Sequence, residues 1–304
     1  MFAGGDNVNG EPSDKVDIYD VVTNSWSIAK LSIARQDMAA TSSGNKLFFA
    51  GGWNTDNAIY SRVDIYNVVT NTWSIAQLSQ PRYRLAAAAA GNKVVFAGGN
   101  VNNSTYSATV DIYDITTNTW TTAKLASARS ELTATAKGTK VFFAGGYASK
   151  TVDIYDVVTN TWSVGQLSEA RRGLAGAAAR DKVVFAGGAP NFVPYTSTVD
   201  IYNTTMDSWS TAQLSRARAN LASAKVLDKI LFAGGTGSSN VVDIYDATNN
   251  TWTTASLSQG RSNLAGATAG NKVLFAGGFI GGSPRVSNAV DIFSFVRCSS
   301  DPSK

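Results

Sequence analysis

Residues 93–129 read KVVFAGGNVNNSTYSATVDIYDITTNTWTTAKLASAR. Four signals stand in order within this stretch. A β-branched run ends in Phe96-Ala97-Gly98-Gly99, and Val110-Asp111-Ile112-Tyr113 follows it. Trp120 comes 7 residues after Tyr113, and Arg129 comes 9 residues after Trp120. Short runs of Val, Ile, Thr, Tyr, Phe and Trp bounded by Gly and Asn are strand chemistry. The same order recurs along the chain. Phe-Ala-Gly-Gly occurs seven times, ending at Gly5, Gly52, Gly99, Gly146, Gly188, Gly235 and Gly278, at spacings of 47, 47, 47, 42, 47 and 43. The aromatic of Val-Asp-Ile-Tyr/Phe falls at Tyr19, Tyr66, Tyr113, Tyr155, Tyr202, Tyr245 and Phe293. The tryptophans are Trp26, Trp73, Trp120, Trp162, Trp209 and Trp252, and the arginines are Arg35, Arg82, Arg129, Arg171, Arg218 and Arg261.

Each module reads as four short antiparallel strands. Strand A follows the arginine and is built of small residues, as in Leu85 to Ala90. Strand B is Lys93 to Gly99, strand C is Val-Asp-Ile-Tyr, and strand D carries the tryptophan after a turn such as Val69-Thr70-Asn71-Thr72. Four-stranded sheets repeated at this period are the blades of an all-β propeller. Small residues suit the innermost strand, where blades converge. The Gly pair ends strand B where the backbone needs positive φ. Tyr and Trp supply packing surface between blades, and Asn before Trp suits a tight turn.

The order Gly-Gly, then Tyr, then Trp resembles the kelch repeat family, over nearly the whole chain. A WD-repeat reading lacks its Gly-His signature, because the chain has 0 histidines. Strands B and C occur seven times, A and D six times. Seven blades, the first and last incomplete, is the favoured count. The alternative is a six-bladed ring in which residues 261–269 supply strand A beside the N-terminal B, C and D. In that ring, residues 272–293 would compete with residues 2–19 for one place. A single propeller domain is expected over 1–297, with a C-terminal tail at 298–304. The sequence opens inside a repeat, so the chain is expected to be a fragment of something longer.

Composition narrows the function. The chain has 304 residues, 44% hydrophobic and 16% charged, and no apolar run of membrane-span length, so no membrane partner is expected. A net charge of +4, dispersed along the chain, makes no case for nucleic acid. The 1 cysteine, Cys298, excludes an internal disulfide framework. That fits a reducing, cytoplasmic compartment and leaves an extracellular one open. With no histidine there is no Ser-His-Asp arrangement and no imidazole ligand for a metal. The copper oxidases that share the kelch propeller need such ligands. No enzymatic role, cofactor or metal is therefore expected. Asp37 and Glu131, the carboxylates at variable positions after the repeated arginines, lie two blades apart and are not expected to meet as a glycosidase pair.

Variation between modules locates the expected site. Distances from Tyr to Trp, Trp to Arg and Arg to Gly are fixed, and only the loop from B to C changes length. Variable loops on a rigid scaffold are where recognition resides. Strand alternation puts these B–C loops on the same face as the D–A segments. That face carries Trp53, Tyr60, Tyr106, Tyr147, Phe192, Tyr195 and Phe279 from the B–C loops, and Tyr83, Arg84, Arg172 and Arg216 from the D–A segments; of these all but Tyr106 are the expected binding residues. Exposed Trp, Tyr and Arg are the usual anchors of interfaces. The arginines lead us to expect a basic face and an acidic partner. The six repeated arginines read instead as structural, paired with the aspartates that open strand C. The expected function is a protein-interaction module of scaffold or substrate-receptor type, which is also what the kelch resemblance implies. Carbohydrate binding and an architectural role in a larger assembly are the alternatives. The incomplete end blades leave strand edges that invite dimerisation.

Overall fold

The computed structural model describes residues 1–190, 193–281 and 285–296. They form seven antiparallel sheets in chain order, spanning 2–30, 39–77, 86–124, 133–166, 175–213, 222–256 and 265–294. We number these blades 1 to 7. Blades 2 to 6 have four strands each. Blade 1 has only B, C and D, and blade 7 only A, B and C. Blade 3 shows the plan: A is Ala86–Ala90, B is Lys93–Ala97, C is Thr109–Asp114 and D is Thr119–Lys124. The A strands of consecutive blades lie side by side from blade 2 to blade 7.

The copies at the two chain ends do not compete for one place. Residues 265–276 pair with 290–294 in blade 7, and Phe2 and Ala3 pair with Asp17 and Val16 in blade 1. This removes the six-bladed alternative. Blades 7 and 1 meet through a contact the ring uses elsewhere. Lys272 Nζ donates to the Tyr19 hydroxyl at 2.7 Å and lies 5.3 Å from its ring centre. Lys46 lies over Tyr113 at 5.8 Å between blades 2 and 3.

The core is a series of layers between blades. Val95, Ala97, Val110 and Ile112 of blade 3 pack on Val141, Phe143 and Tyr155 of blade 4. Within each blade the repeated aromatics meet, as Tyr113 and Trp120 do with ring centres 4.9 Å apart. The Tyr113 hydroxyl then donates to Asn118 Oδ1 at 2.6 Å. Asn118 holds the tight C–D turn at φ 57°, a left-handed conformation that asparagine tolerates.

The Gly pair is explained by backbone approach. Gly98 and Gly99 have φ of 70° and 99°. The Gly99 amide donates to the Arg129 carbonyl at 2.9 Å. A Cβ on Gly98 would lie 2.6 Å from that same oxygen. Each of the first six Gly-Gly pairs thus fastens strand B of one blade to the segment that leads into the next.

Each repeated arginine is 0% exposed and pairs with the strand C aspartate of the following blade. Arg35 reaches Asp64 at 2.7 Å, donates from Nε to the Gly51 carbonyl at 2.7 Å and from Nη2 to the Phe49 carbonyl at 3.1 Å. Burial lowers the guanidinium pKa, and the aspartate works against that shift. Their role is structural, as expected. Among the described residues no helix is long and apolar enough to cross a membrane. The expected tail at 298–304 lies outside them.

Candidate functional site

The B–C loops and D–A segments share one face and are stitched to each other there. Gln36 and Trp53 exchange backbone hydrogen bonds at 3.0 and 3.1 Å, as do Tyr83 and Asn100, Arg172 and Ala189, and Ser262 and Phe279. In blades 2 to 7 the residue after the Gly-Gly is held by backbone hydrogen bonds beside the residue after an arginine, at the mouth of the channel.

The residue two places after each arginine forms the rim. Asp37, Arg84, Glu131, Gly173, Asn220 and Asn263 all have φ between 52° and 61°. Their backbones form a hydrogen-bonded chain around the channel. Arg84 N donates to Asp37 O (2.9 Å), Glu131 N to Arg84 O (3.2 Å), Gly173 N to Glu131 O (3.1 Å), Asn220 N to Gly173 O (2.7 Å) and Asn263 N to Asn220 O (2.9 Å). Glycine and asparagine take this conformation readily. Arginine and glutamate pay about 1–2 kcal/mol for it.

The mouth opens into a cavity of about 1730 Å³ lined by Trp53, Tyr83, Arg84, Tyr147, Arg172 and Phe279 among others. These are six of the ten residues expected from the sequence. Tyr60, Tyr195 and Arg216 do not line it: Tyr60 is half-buried, and Tyr195 and Arg216 are exposed. Phe192 lies outside the described residues.

The side chains at the mouth are locked to one another. Trp53 Nε1 donates to Asp37 Oδ2 at 3.0 Å, and Arg84 Nε reaches the same oxygen at 3.0 Å. Arg84 continues to Glu131 at 3.0 Å, and Arg172 holds the other oxygen of Glu131 at 2.8 Å. Two aromatic pairs flank this chain of charges: Trp53 with Tyr83 at 5.7 Å, and Tyr106 with Tyr147 at 5.3 Å. The guanidinium of Arg172 lies 5.6 Å from the Tyr147 ring centre. Tyr83 is buried beneath Trp53. Burial pushes its phenol pKa up, while Arg84 pulls it down.

One expectation holds here and one changes. Asp37 and Glu131 do not touch, but Arg84 bridges them. Arg84 and Arg172 are both held by carboxylates, so they do not make the face basic. The cavity carries Lys15, Arg84 and Arg172 against Asp6, Asp17, Asp37 and Glu131. That near balance removes the main motive for an acidic partner. Sequence reasoning placed Tyr106 on this face without counting it among the binding residues, and it missed Asn100. The available signal for Asn100 was its place directly after Gly99, the position that Trp53 and Tyr147 occupy in their modules. Among the described residues there is no cluster of three or more side chains able to hold a metal ion.

Seven radial blades, a stitched loop face and interblade Arg–Asp pairs define a kelch-type β-propeller. The chain matches the model of the KLHDC2/KLHL20/DRC7 Kelch-repeats domain over residues 37–235, and it belongs to that family. Among solved structures, one titled "Structure of YjhT" superposes with a TM-score of 0.69 at 16% identity, covering 88% of this chain and 97% of that one. That likeness shows the fold. No curated protein matches the chain. Membership of this family suggests a protein-interaction module in general, and the family is generally non-catalytic.

Proposed function

We infer that the chain binds a peptide or protein segment at the channel mouth on the B–C/D–A face, acting as a scaffold or substrate receptor. The observation that carries this reading is the pair of aromatic contacts, Trp53–Tyr83 and Tyr106–Tyr147, set on either side of the Asp37–Arg84–Glu131–Arg172 chain. Rigid aromatic anchors beside oriented donors and acceptors give contact area at low entropic cost. Because the charges are balanced, the favoured partner is a polar, near-neutral segment with apolar side chains for the rings. The asparagines that line the same cavity, Asn103, Asn220 and Asn263, support carbohydrate as the second reading.

The test is selection from a displayed peptide library, followed by binding to a Trp53→Ala, Arg84→Ala, Arg172→Ala variant. A Val158→Ala variant, altered in a C–D turn on the opposite face, serves as control. Enriched peptides should bind the control as they bind the wild type and lose at least about tenfold on the triple variant. Equal binding to all three would place the site elsewhere. A glycan array that lights up when the library gives nothing would favour carbohydrate.

A further inference from the structure

Between the two aromatic pairs of the mouth stands a buried acceptor that the fold leaves unmet. Asn100 faces Tyr83 across one antiparallel bridge and Tyr106 across another. Residues opposed in this way carry their side chains on the same face, so Tyr83, Asn100 and Tyr106 form a row. Trp53 extends the row beyond Tyr83, and Tyr147 extends it beyond Tyr106. All five line the cavity. Asn100 is 5% exposed. Its Nδ2 donates to the Asn102 carbonyl at 3.4 Å, and its Oδ1 accepts no hydrogen bond from the described residues. Turning the amide over would set Oδ1 against that carbonyl, acceptor against acceptor. Thr236 holds the same module position in blade 6, and its hydroxyl accepts from the Ala219 amide at 3.1 Å. A buried acceptor is normally met, because leaving it unmet costs stability.

The tip of the same loop touches this row only through long bonds. The Tyr83 hydroxyl lies 3.5 Å from the Asn102 carbonyl and 3.3 Å from Asn103 Oδ1, against about 2.7–2.8 Å for a well-made hydroxyl bond. Inside the tip the bonds are short: Asn102 Oδ1 accepts from the Ser104 and Thr105 amides at 2.9 and 2.7 Å. Residues 102–105 are exposed. The tip is therefore a firm unit loosely laid against the row, and what Asn103 brings to the Tyr83 hydroxyl is a carboxamide.

We propose that the row receives a primary carboxamide from the bound segment, the side chain of a glutamine, in place of the loop tip. Its N–H donates to Asn100 Oδ1. Its oxygen accepts from Asn100 Nδ2 and from the Tyr83 hydroxyl, and its methylenes lie between the two aromatic pairs. A carboxamide donates and accepts from one planar group, which is what the Asn100 amide requires. An ammonium has no acceptor to offer. Arg84 over Tyr83 at 5.8 Å and Arg172 over Tyr147 at 5.6 Å also repel a cation. Glutamine has the length to reach a recessed group. This contact rests on the reading of the mouth as a peptide site and names one side chain of the peptide.

The probe is N-acetylglutamine N-methylamide, titrated into the intact chain and followed by backbone and side-chain amide NMR shifts. Saturable shifts at the Asn100 side-chain amide are expected, with a Kd of about 10 mM. N-acetylmethionine N-methylamide, of similar length without the carboxamide, and methyl glucoside should each bind at least about fivefold more weakly. Asn100→Leu should weaken the glutamine probe at least about tenfold, read at the Tyr83 and Tyr106 amides. Asn103→Ala removes the competing carboxamide from an exposed tip and should tighten the probe about threefold; loss of an ordinary contact would have the opposite sign. Thermal unfolding near the wild-type midpoint shows that each variant is folded, and Asn103→Ala decides the matter if Asn100→Leu is not. No shift at Asn100 up to about 100 mM probe, equal binding of the methionine probe, or weaker binding to Asn103→Ala would overturn the proposal. Tighter binding of the glucoside would overturn it too, by giving the row to a hydroxyl ligand. Library-selected peptides that need Trp53, Arg84 and Arg172 but ignore Asn100→Leu would remove this contact and leave the mouth reading standing. Peptides that ignore the triple variant would remove the mouth reading itself.

Discussion

A guanidinium sealed from water is held most firmly where its donors and its charge are both met. Arg35 and Arg129 meet both conditions, through one carboxylate and the carbonyls around it; in Arg82, Arg171, Arg218 and Arg261 the charge is met but the buried Nε donor has no partner among the described residues. Removing one partner leaves the other charged and buried. Arg129→Ala is therefore expected to cost about 3–5 kcal/mol in urea unfolding, and Arg129→Lys a large part of that, because an ammonium cannot reproduce the planar fork. Breaking the exposed Lys30–Asp14 pair with Lys30→Ala should cost about 0–1 kcal/mol. The Arg–Asp pairing was legible in the sequence, since one arginine and one aspartate recur in every full module. The pairing at the mouth was not. Arg84, Glu131 and Arg172 stand once each, and their side chains meet only because the rim residues turn left-handed, which their identities do not announce. Glu131 illustrates the consequence. Glu131→Asn should relieve left-handed strain while removing two partly exposed ion pairs, so stability should change by less than about 0.5 kcal/mol. A residue that is cheap to lose for folding yet fixes two arginines at the mouth is placed for binding. Isothermal calorimetry with a library-selected peptide should show the loss that unfolding curves do not.

At the level of the C–D hairpin, one module departs from the others in a way that makes the packing testable. The tyrosine hydroxyl is accepted by a left-handed asparagine in blades 1, 2, 3, 4 and 6, but by Asp207 in blade 5, where Tyr202 is the donor. Burial first, then the Asp207 hydrogen bond and charge, push the Tyr202 pKa up to about 12. A phenol whose pKa is higher folded than unfolded contributes stability that is fully present below about pH 10 and lost as pH rises toward 12. Asp207→Asn keeps an acceptor and removes the charge. The variant should therefore lose less of its pH 8 stability between pH 10 and 12 than the wild type does, as read from urea midpoints across that range. The D strand supplies a second test. Gly165 stands where Ala29, Ala76, Ala123, Ala212 and Ala255 stand in the other blades, and a Cβ there would lie 3.2 Å from the Trp209 ring. Five modules already seat this alanine, so a shift of a few tenths of an ångström should suffice. Gly165→Ala is expected to raise stability by about 0.4–1 kcal/mol. Strand identity, order and turn chemistry were all readable from the repeats, because each is set by residues within about 10 positions of one another.

Seven copies of B and C against six of A and D left the blade count open in the sequence. The deciding contact joins Lys272 to Tyr19 across the whole chain, and no local pattern encodes such a distant pairing. The same arithmetic of strands sets how stability is distributed. A blade inside a repeat array is held by two neighbours, and its interfaces carry most of what keeps it folded. Blades 3, 4 and 5 have complete neighbours on both sides. Blades 1 and 7 have one sealed interface each, and the seam between them leaves Trp26 44% exposed and Ile292 41% exposed. Apolar surface left wet contributes nothing to folding, and Asp17 provides no buried ion pair to tie the two blades together. Local opening should therefore begin at the seam. Native-state hydrogen exchange is expected to show the amides of Lys15–Asp20 and Lys272–Ala276 exchanging before those of Lys140–Ala144 and Lys182–Ala186, although all four segments are regular strands with a neighbour on each side. Denaturant should lower the protection of the central strands in one cooperative step while the end strands are already exchanging. Uniform protection across all four segments would mean that the Lys272–Tyr19 contact closes the ring as firmly as a full blade interface, and that the seam is no weaker than the layers around it.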